Sequence, residues 1–359
     1  MWRPTAVEFT RAGRTEEGID EGGLSQDMYQ VLLSTLMTPQ PAAAASAASA
    51  ASAAAGDGSV GGGGLLEAAD ADGGGLWLPT AALRTSQVSW LEALGRAMAK
   101  ALIDGHVVPR GLCPFVFAYL LERDGEALGT VDAALDALAH YDPRKAATWR
   151  AMLGEADDAV RAMGLSRSDF LPELLDAHDA PVDAPSVPEL VLLGCRRELL
   201  TRRLPALAAV RRGFLHAAQW ANHIQLFEPH EFDLLIHGVA SVSGDELWQQ
   251  MRVEFDSDEP GDAARATHAQ LEQLVRAGLP HAQLLELLYF CTSLRAIPLH
   301  GLQPPITVWI EADASERALP SASTCARELY VPAYGAAALL QQKLEQAMEH
   351  GLTDGFQKR

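Results

Sequence analysis

The sequence predicts an α+β protein, helical through most of its length and mixed in its last quarter. Apolar residues recur at helical spacing over long stretches, first at Leu91, Leu94, Met98 and Leu102. From Pro304 the texture changes, and Ile306, Val308 and Ile310 alternate with Thr307 and Trp309 as the two faces of a strand do. Leu329, Tyr330 and Val331 repeat that alternation, so a second strand is available to pair with the first. A chain of 359 residues is ample for two domains with cores of their own.

Taken in order, the segment from Pro39 to Gly75 is of low complexity, with Ala/Ser repeats at 42–55 and glycines at 61–64 and 73–75, and is expected to be a disordered insertion. Gly56, Gly58 and Gly61 inside it spell GxGxxG, but no strand pattern precedes them and glycine coincidences are cheap in such a composition. The helix carrying Leu91 to Leu102 has a stop signal in Gly105. Cys113 to Leu121 reads as an apolar helix, and Asp132 to Ala139 as another with Leu135 and Leu138 inward. Met163 to Leu175 also reads as helical, before an Asp/Pro-rich loop. Residues 262–290 give two helices broken at Gly278 and Pro280, with Leu271, Leu274 and Val275 on the first and Leu284, Leu285 and Leu288 on the second. The last helix, Ala336 to His350, carries Leu339, Leu340, Leu344 and Met348 on one stripe, with Gly351 as its stop.

Acidic residues outnumber Lys and Arg by 47 to 28, and the net charge of −19 argues against a nucleic-acid partner and against an anionic membrane surface. No run approaches the roughly 18 apolar residues of a spanning helix, and the acidic stretch Thr5 to Asp20 is unlike a signal peptide. A location in the cytoplasm, with the nucleus also open, is expected. Four scattered cysteines without a CxxC pair suggest neither a zinc cluster nor a disulfide framework. His223, His230 and His237 recur every seven residues, about 10 Å per step on a helix and too far apart to share one ion, so no metal is expected. Nothing in the residues calls for a cofactor.

Three of the cysteines sit in apolar surroundings: Cys113 before Phe115, Val116 and Phe117, Cys195 after Leu192 and Leu193, Cys291 after Tyr289 and Phe290. They are expected to be small buried hydrophobes. Cys325 differs. It lies among Ser321, Ala322, Ser323, Thr324 and Ala326, between Pro320 and Pro332, where an exposed turn is expected on the loop feeding the second strand. An accessible thiol is a candidate nucleophile, and Arg327 is the one nearby cation that would favour the thiolate. A cysteine hydrolase relying on one of the 11 histidines is the rival chemistry, but no histidine lies within twenty residues upstream.

Leu319, Pro320, Ala322, Thr324, Cys325, Leu329, Val331, Pro332 and Tyr334 resemble the active-site signature of HECT-type ubiquitin ligases. Further matches follow in the family's order: Glu17 to Asp20 with Gly22, Gly23 and Ser25; Leu94, Gly95, Ala99 to Leu102, Asp104 and Gly105; Asp142 and Pro143; Arg211 to Phe214; Phe227, Pro229, Glu231, Leu234 to Ile236 and Gly238; Phe290, Thr292, Arg295 and Pro298. Phe356 stands fourth from the end, where the family places a phenylalanine. The ordered agreement runs from residue 7 to residue 359.

The resemblance implies a bilobed fold. A mostly helical N-lobe would occupy residues 1–240, with the insertion at 39–75, and a small α/β C-lobe would occupy residues 241–359. The hinge between them would fall in Val239 to Gly244. It further implies that Cys325 accepts ubiquitin as a thioester from a ubiquitin-conjugating enzyme and passes it to a lysine of a protein substrate. Thr324 would support the cysteine loop and Phe356 would dock the C-terminal tail. Trp149, Met152 and Leu190 fall at positions that contact the conjugating enzyme, though the same apolar residues are equally well explained as core. Some features depart from the pattern. The Ala/Gly insertion stands where relatives carry a segment that binds a second ubiquitin, residues 155–187 lack a strand-rich hairpin, Ser323 replaces a common histidine, and Ser293 replaces a common glycine. The alternative reading is a catalytically degenerate scaffold of the same fold that binds ubiquitin or a conjugating enzyme.

Overall fold

The computed structural model describes residues 9–11, 14–16, 23–41, 64–69, 75–174, 180–217, 221–239, 241–257, 259–324 and 326–354. Strands β1 (Phe9–Arg11) and β2 (Arg14–Glu16) form a hairpin before helix α1 (Gly23–Leu36), and β3 (Pro39–Pro41), β4 (Leu66–Ala68) and β5 (Leu78–Pro79) come next. Helices then dominate: α2 (Thr85–Ile103), α3 (Pro114–Leu120), α4 (Asp124–Ala127), α5 (Val131–Tyr141), α6 (Pro143–Met152), α7 (Asp157–Ala162), α8 (Val187–Leu199), α9 (Leu204–Ala217), α10 (Ala221–Ile224), α11 (Pro229–His237) and α12 (Gly244–Gln249). The last part mixes the two: β6 (Met251–Phe255), α13 (Asp262–Gln273), α14 (His281–Thr292), β7 (Ile306–Glu311), β8 (Ser321–Ser323), β9 (Glu328–Pro332) and α15 (Ala337–Asp354). The α+β class expected from the texture of the sequence is therefore the class observed. Contacts divide the chain into two units, Leu32–Ala101 with Pro109–Asp233, and Met1–Val31 with Leu102–Val108 and Leu234–Arg359.

The first of these units is a helical body. Helix α5 starts where Thr130 caps the backbone N–H of Ala133 at 3.3 Å, buries Leu135 and Leu138, and packs against α6 and α8. Helix α6 starts on Pro143, whose missing N–H costs nothing there, and Asp142 accepts from the N–H of Lys145 at 2.8 Å. Helices α2 and α9 approach closely, because a Cβ on Gly95 would lie 2.1 Å from the Val210 carbonyl oxygen and one on Gly213 would lie 2.0 Å from that of Glu92. Two glycines that carried the family resemblance are thus contact positions between helices.

A buried ion pair ties the small sheet to this body. Arg203 is fully buried and paired with Glu67 of β4, and it donates to the carbonyls of Pro79 and Glu198 at 2.8 and 2.7 Å and to the Tyr141 hydroxyl at 2.8 Å. Each of these partners offsets part of the desolvation of the guanidinium. Strand β3 pairs in parallel with β4, and β4 pairs antiparallel with β5. Residues 39–41 and 66–68, expected to belong to a disordered insertion, are therefore strands; burial of Leu66, Glu67 and Ala68 explains why composition did not reveal them. Residues 42–63, with the GxGxxG, lie outside the described residues. Met163 to Leu175 is not the expected helix. Its described part holds two short 3₁₀ turns, Arg167–Asp169 and Pro172–Leu174, the first closed by a capping box in which Asp169 takes the N–H of Ser166 at 2.8 Å.

In the other unit, a four-stranded sheet runs in the order β6-β7-β9-β8, parallel except for β8. Ile306, Val308, Ile310, Leu329 and Val331 point to one face and are fully buried, with Met251, Val253, Phe255 and Ala322 beside them. Helices α13, α14 and α15 supply Leu271, Leu287, Leu288, Leu340, Leu344 and Met348 to the same core. Helix α15 runs on through Gly351 to Asp354, past its expected stop. The Val239 to Gly244 segment is well tied where described. Val239 exchanges backbone hydrogen bonds with Ile297, Ser243 and Glu246 form a capping box, and a Cβ on Gly244 would meet the Val275 carbonyl oxygen at 2.3 Å.

Helix α14 ends on Ser293, which takes the left-handed conformation at φ 58° and donates its N–H to Tyr289 at 2.8 Å. Its hydroxyl is buried without a hydrogen-bond partner among the described residues. Left-handed backbone favours glycine, which explains the residue common in the family at this position. Ser293→Gly is accordingly expected to stabilise the fold by about 1 kcal/mol, read as a higher urea midpoint at unchanged m-value.

Candidate active site

The candidate nucleophile sits in the connection between two paired strands. Strands β8 and β9 are antiparallel in the register Ser321↔Tyr330, Ala322↔Leu329 and Ser323↔Glu328, and of the residues between them Thr324, Ala326 and Arg327 are described. Cys325 and Phe356 lie outside the described residues. The flanking residues are described. Thr324 is buried at 6% exposure and continues the inward side of Ala322, whereas Ser323 is half-buried on the outward side. The exposed turn expected from Ser321 onward is thus a strand up to Ser323. Its polar composition concealed it, because pairing with β9 and the inward turn of Ala322 decide its conformation.

Arg327 closes the connection at φ 53°, its carbonyl accepting from the Thr307 N–H at 2.9 Å. Its guanidinium donates to the Pro304 carbonyl at 3.0 Å, and burial pulls its pKa down from the usual arginine value. The cation expected to favour a thiolate is therefore anchored at the start of β7.

The approach to the hairpin is strapped down from the core side. The Tyr334 hydroxyl donates to the Ala318 carbonyl at 2.7 Å, Gly335 N–H donates to Glu316 at 3.0 Å, and Lys343 donates to the Arg317 carbonyl at 3.1 Å. Tyr334 is itself fixed, since its N–H donates to the buried Thr267 hydroxyl at 2.9 Å. Burial pushes the Tyr334 phenol up to about 12, so it remains a donor across the working pH range. Thr267 escaped sequence reasoning, because a threonine at mid-helix spacing carries no signal of a contact 67 residues away.

The outward face of the sheet holds a second group. Trp309 Nε1 donates to Glu328 at 3.1 Å, and the Tyr330 hydroxyl donates to the other oxygen of the same carboxylate at 2.5 Å. That hydrogen bond, ahead of burial, pushes the Tyr330 phenol up to about 12. Sequence reasoning used Trp309 and Tyr330 only as outward positions of strands.

Trp149 and Leu190 are core, at 7% and 2% exposure. The Trp149 ring lies 5.6 Å from that of Phe170 and so close to Gly194 that a Cβ there would fall 2.8 Å from it. Met152 is half-buried. Among the described residues no group of His, Cys, Asp or Glu is arranged to hold a metal ion, and His237 is buried with Nδ1 2.8 Å from the Val108 carbonyl. No described helix is long and apolar enough to cross a membrane.

Residues 62–359 match the family model for the HECT domain, described as a ubiquitin-transferase. The chain belongs to the HECT family. Three proteins similar to it bear ubiquitin-ligase names. A bifunctional serine/threonine-protein kinase/NEDD4-like E3 ubiquitin-protein ligase of Dictyostelium discoideum is 26% identical over 73% of this chain and 13% of its own length. The E3 ubiquitin-protein ligase Smurf1 of Drosophila melanogaster is 21% identical over 95% of this chain and 30% of its length. The E3 ubiquitin-protein ligase hyd of the same fly is 23% identical over 71% of the chain and 9% of its length. The chain thus spans less than a third of each of these relatives.

Cys113, Cys195 and Cys291 are buried as expected, and burial pushes the first two thiols up to about 12 and the third up as well. Thiolate is the reactive form, so all three are expected to resist iodoacetamide at pH 8 in the native protein and to react in urea, with peptide mapping as the readout.

Proposed function

We propose that the chain is the catalytic part of a ubiquitin ligase, with Cys325 as the covalent carrier and residues 241–359 as the lobe that presents it. Membership in the HECT family supports the reaction class. The observation that supports the residue assignment is the hairpin register, Ser323 opposite Glu328, in a sheet buried on its other face. A loop held at both ends by rigid strands is where positioned chemistry is found.

The reaction follows from the thiol. The Cys325 thiolate attacks the carbonyl carbon of the thioester joining ubiquitin's terminal glycine to the conjugating enzyme, and that enzyme's cysteine leaves as thiolate. One carbon–sulfur bond replaces another, so the step is nearly balanced and needs neither nucleotide nor metal. A substrate lysine, as free amine, then attacks the new thioester; a C–N bond forms, the C–S bond breaks, and Cys325 is regenerated. The protein supplies proximity and orientation. Thr324 is the proposed support of the loop and Phe356 the proposed anchor of the tail. Of the three apolar positions that the resemblance assigns to the conjugating enzyme, Trp149, Met152 and Leu190, Met152 is the one proposed to touch it, since Trp149 and Leu190 are buried. A reducing compartment, cytoplasm or nucleus, suits a working thiol.

Incubation with charged conjugating enzyme is expected to give a reductant-sensitive ubiquitin adduct that Cys325→Ala abolishes and Cys325→Ser renders resistant to reductant. An adduct that survives Cys325→Ala sinks the assignment, and no adduct on the wild-type protein favours the non-catalytic scaffold.

A further inference from the structure

The Trp309–Glu328–Tyr330 group has no structural duty that requires a carboxylate. Glu328 begins β9 on the outward face, and chain connectivity alone keeps its Cα within about 11 Å of that of residue 325, a span that a lysine side chain can bridge. Its two oxygens are each held by a neutral donor, Trp309 Nε1 at 3.1 Å and the Tyr330 hydroxyl at 2.5 Å. Among the described residues no Lys, Arg or His forms an ion pair with it, whereas the nearby cations are engaged elsewhere: Arg327 on the Pro304 carbonyl at 3.0 Å and Arg252 on Glu254 at 2.6 Å. A side chain wanted only to satisfy an indole and a phenol need not be charged. An unneutralised carboxylate, oriented by two donors and flanked by two aromatic rings, is a receptor for a cation.

We infer that Glu328 is the group that receives the incoming lysine, with Trp309 and Tyr330 as its positioning residues. This inference rests on Cys325 being the ubiquitin carrier. The carboxylate accepts hydrogen bonds from the ε-nitrogen and draws the side chain to the hairpin. The nitrogen, once it has lost a proton to water, uses its lone pair to bond to the thioester carbon. In the resulting adduct the nitrogen is positively charged and acidified by its new neighbours. Its proton passes to Glu328 as the C–S bond breaks and the electron pair leaves with the sulfur of Cys325, and Glu328 then releases that proton to water. Atoms and charge balance without any further reactant. Glu311, outward on β7, adds negative charge to the same face, so an acceptor cation meets an attractive field as it approaches.

The test uses the full chain loaded with ubiquitin from charged conjugating enzyme, chased separately with free lysine and with hydroxylamine, which is uncharged at neutral pH. Glu328→Gln keeps the size of the side chain and one acceptor oxygen, while the Tyr330 hydroxyl can turn to accept from the new amide NH2. It is expected to load at the wild-type rate, to discharge to lysine about ten- to hundredfold more slowly with a raised KM for lysine, and to discharge to hydroxylamine unchanged. Glu328→Asp, retaining the charge on a shorter stem, is expected to recover part of the lysine rate, and Trp309→Phe to lose several-fold. A Glu328→Gln protein that discharges to lysine like the wild type overturns the inference while leaving the carrier assignment intact. Equal slowing with both nucleophiles also overturns it, by showing a merely structural role. Failure of the wild-type chain to load removes the carrier assignment and this inference with it.

Discussion

The parallel pairing of β9 with β7 is the constraint on which the candidate site depends. Leu329 and Val331 lie beside Val308 and Ile310 in the ladder, and all four are fully buried. Each contributes about 1.5–3 kcal/mol of transfer free energy on burial. Because side chains alternate faces at every residue, a slip of one position would expose those residues and bury Glu328 and Tyr330 in their place. The register is therefore strongly determined, and it decides in turn that Ser323 and Glu328 face outward while Thr324 turns in.

Fixing a strand does not by itself fix the chain that enters and leaves it. Strands β6, β7 and β9 are parallel, so β7 is reached from β6 by a crossover, whereas β9 is reached from the antiparallel β8 by a tight hairpin. The connection from β7 into β8 is residues 312–320, largely exposed and without regular structure. It is held by donors from beyond β9, namely Tyr334, Gly335 and Lys343, while Asp256 at the end of β6 accepts from Ala312 N–H at 3.0 and 3.1 Å. Both ends of the segment leading to the cysteine are thus anchored by residues distant in sequence. Thr267 links the arrangement to α13, which packs on β7. The cysteine hairpin is positioned by the whole unit rather than by its own composition.

What the sequence disclosed follows the same division. Helices such as α2 and α5, and strand β7, were legible because one buried face imposes a period on a run of residues, and the three apolar cysteines were legible because their neighbours share that burial. Strand β6 alternates as β7 does, but five residues beginning directly after Gln249 and Gln250 of a short helix give too brief a pattern to separate from a helix end. Strand β8 has no apolar period at all. Gly351 failed as a stop because a glycine ends a helix only when the chain turns left-handed there, which the residue type permits without requiring. Met163 to Leu175 has the composition of a helix, yet Ser166 and Asp169 bond each other's backbone and close a 3₁₀ turn instead. The resemblance puts Trp149 and Leu190 at contact positions while their apolar character fits a core equally well, and only their burial here, which a resemblance does not carry, distinguishes the two.

The two departures at short motifs show how a family pattern tolerates change without losing its site. Ser323 occupies an outward position opposite Glu328, so exchanging a histidine for serine there leaves Leu329, Val331 and the register they impose untouched. Ser293 occupies a left-handed helix end, where a serine costs about 1–2 kcal/mol relative to the best residue but makes the same backbone hydrogen bond, N–H to Tyr289 at 2.8 Å. Neither replaces a side chain of the inward face of the sheet. Several positions that the signature keeps have, by contrast, a defined inward or bonded role here: Leu329 and Val331 in the core, Tyr334 on Ala318, and Thr324 buried beside the connection, while Leu319 is exposed. The buried faces of β8 and β9 therefore hold the register whether or not these two outward or terminal positions change.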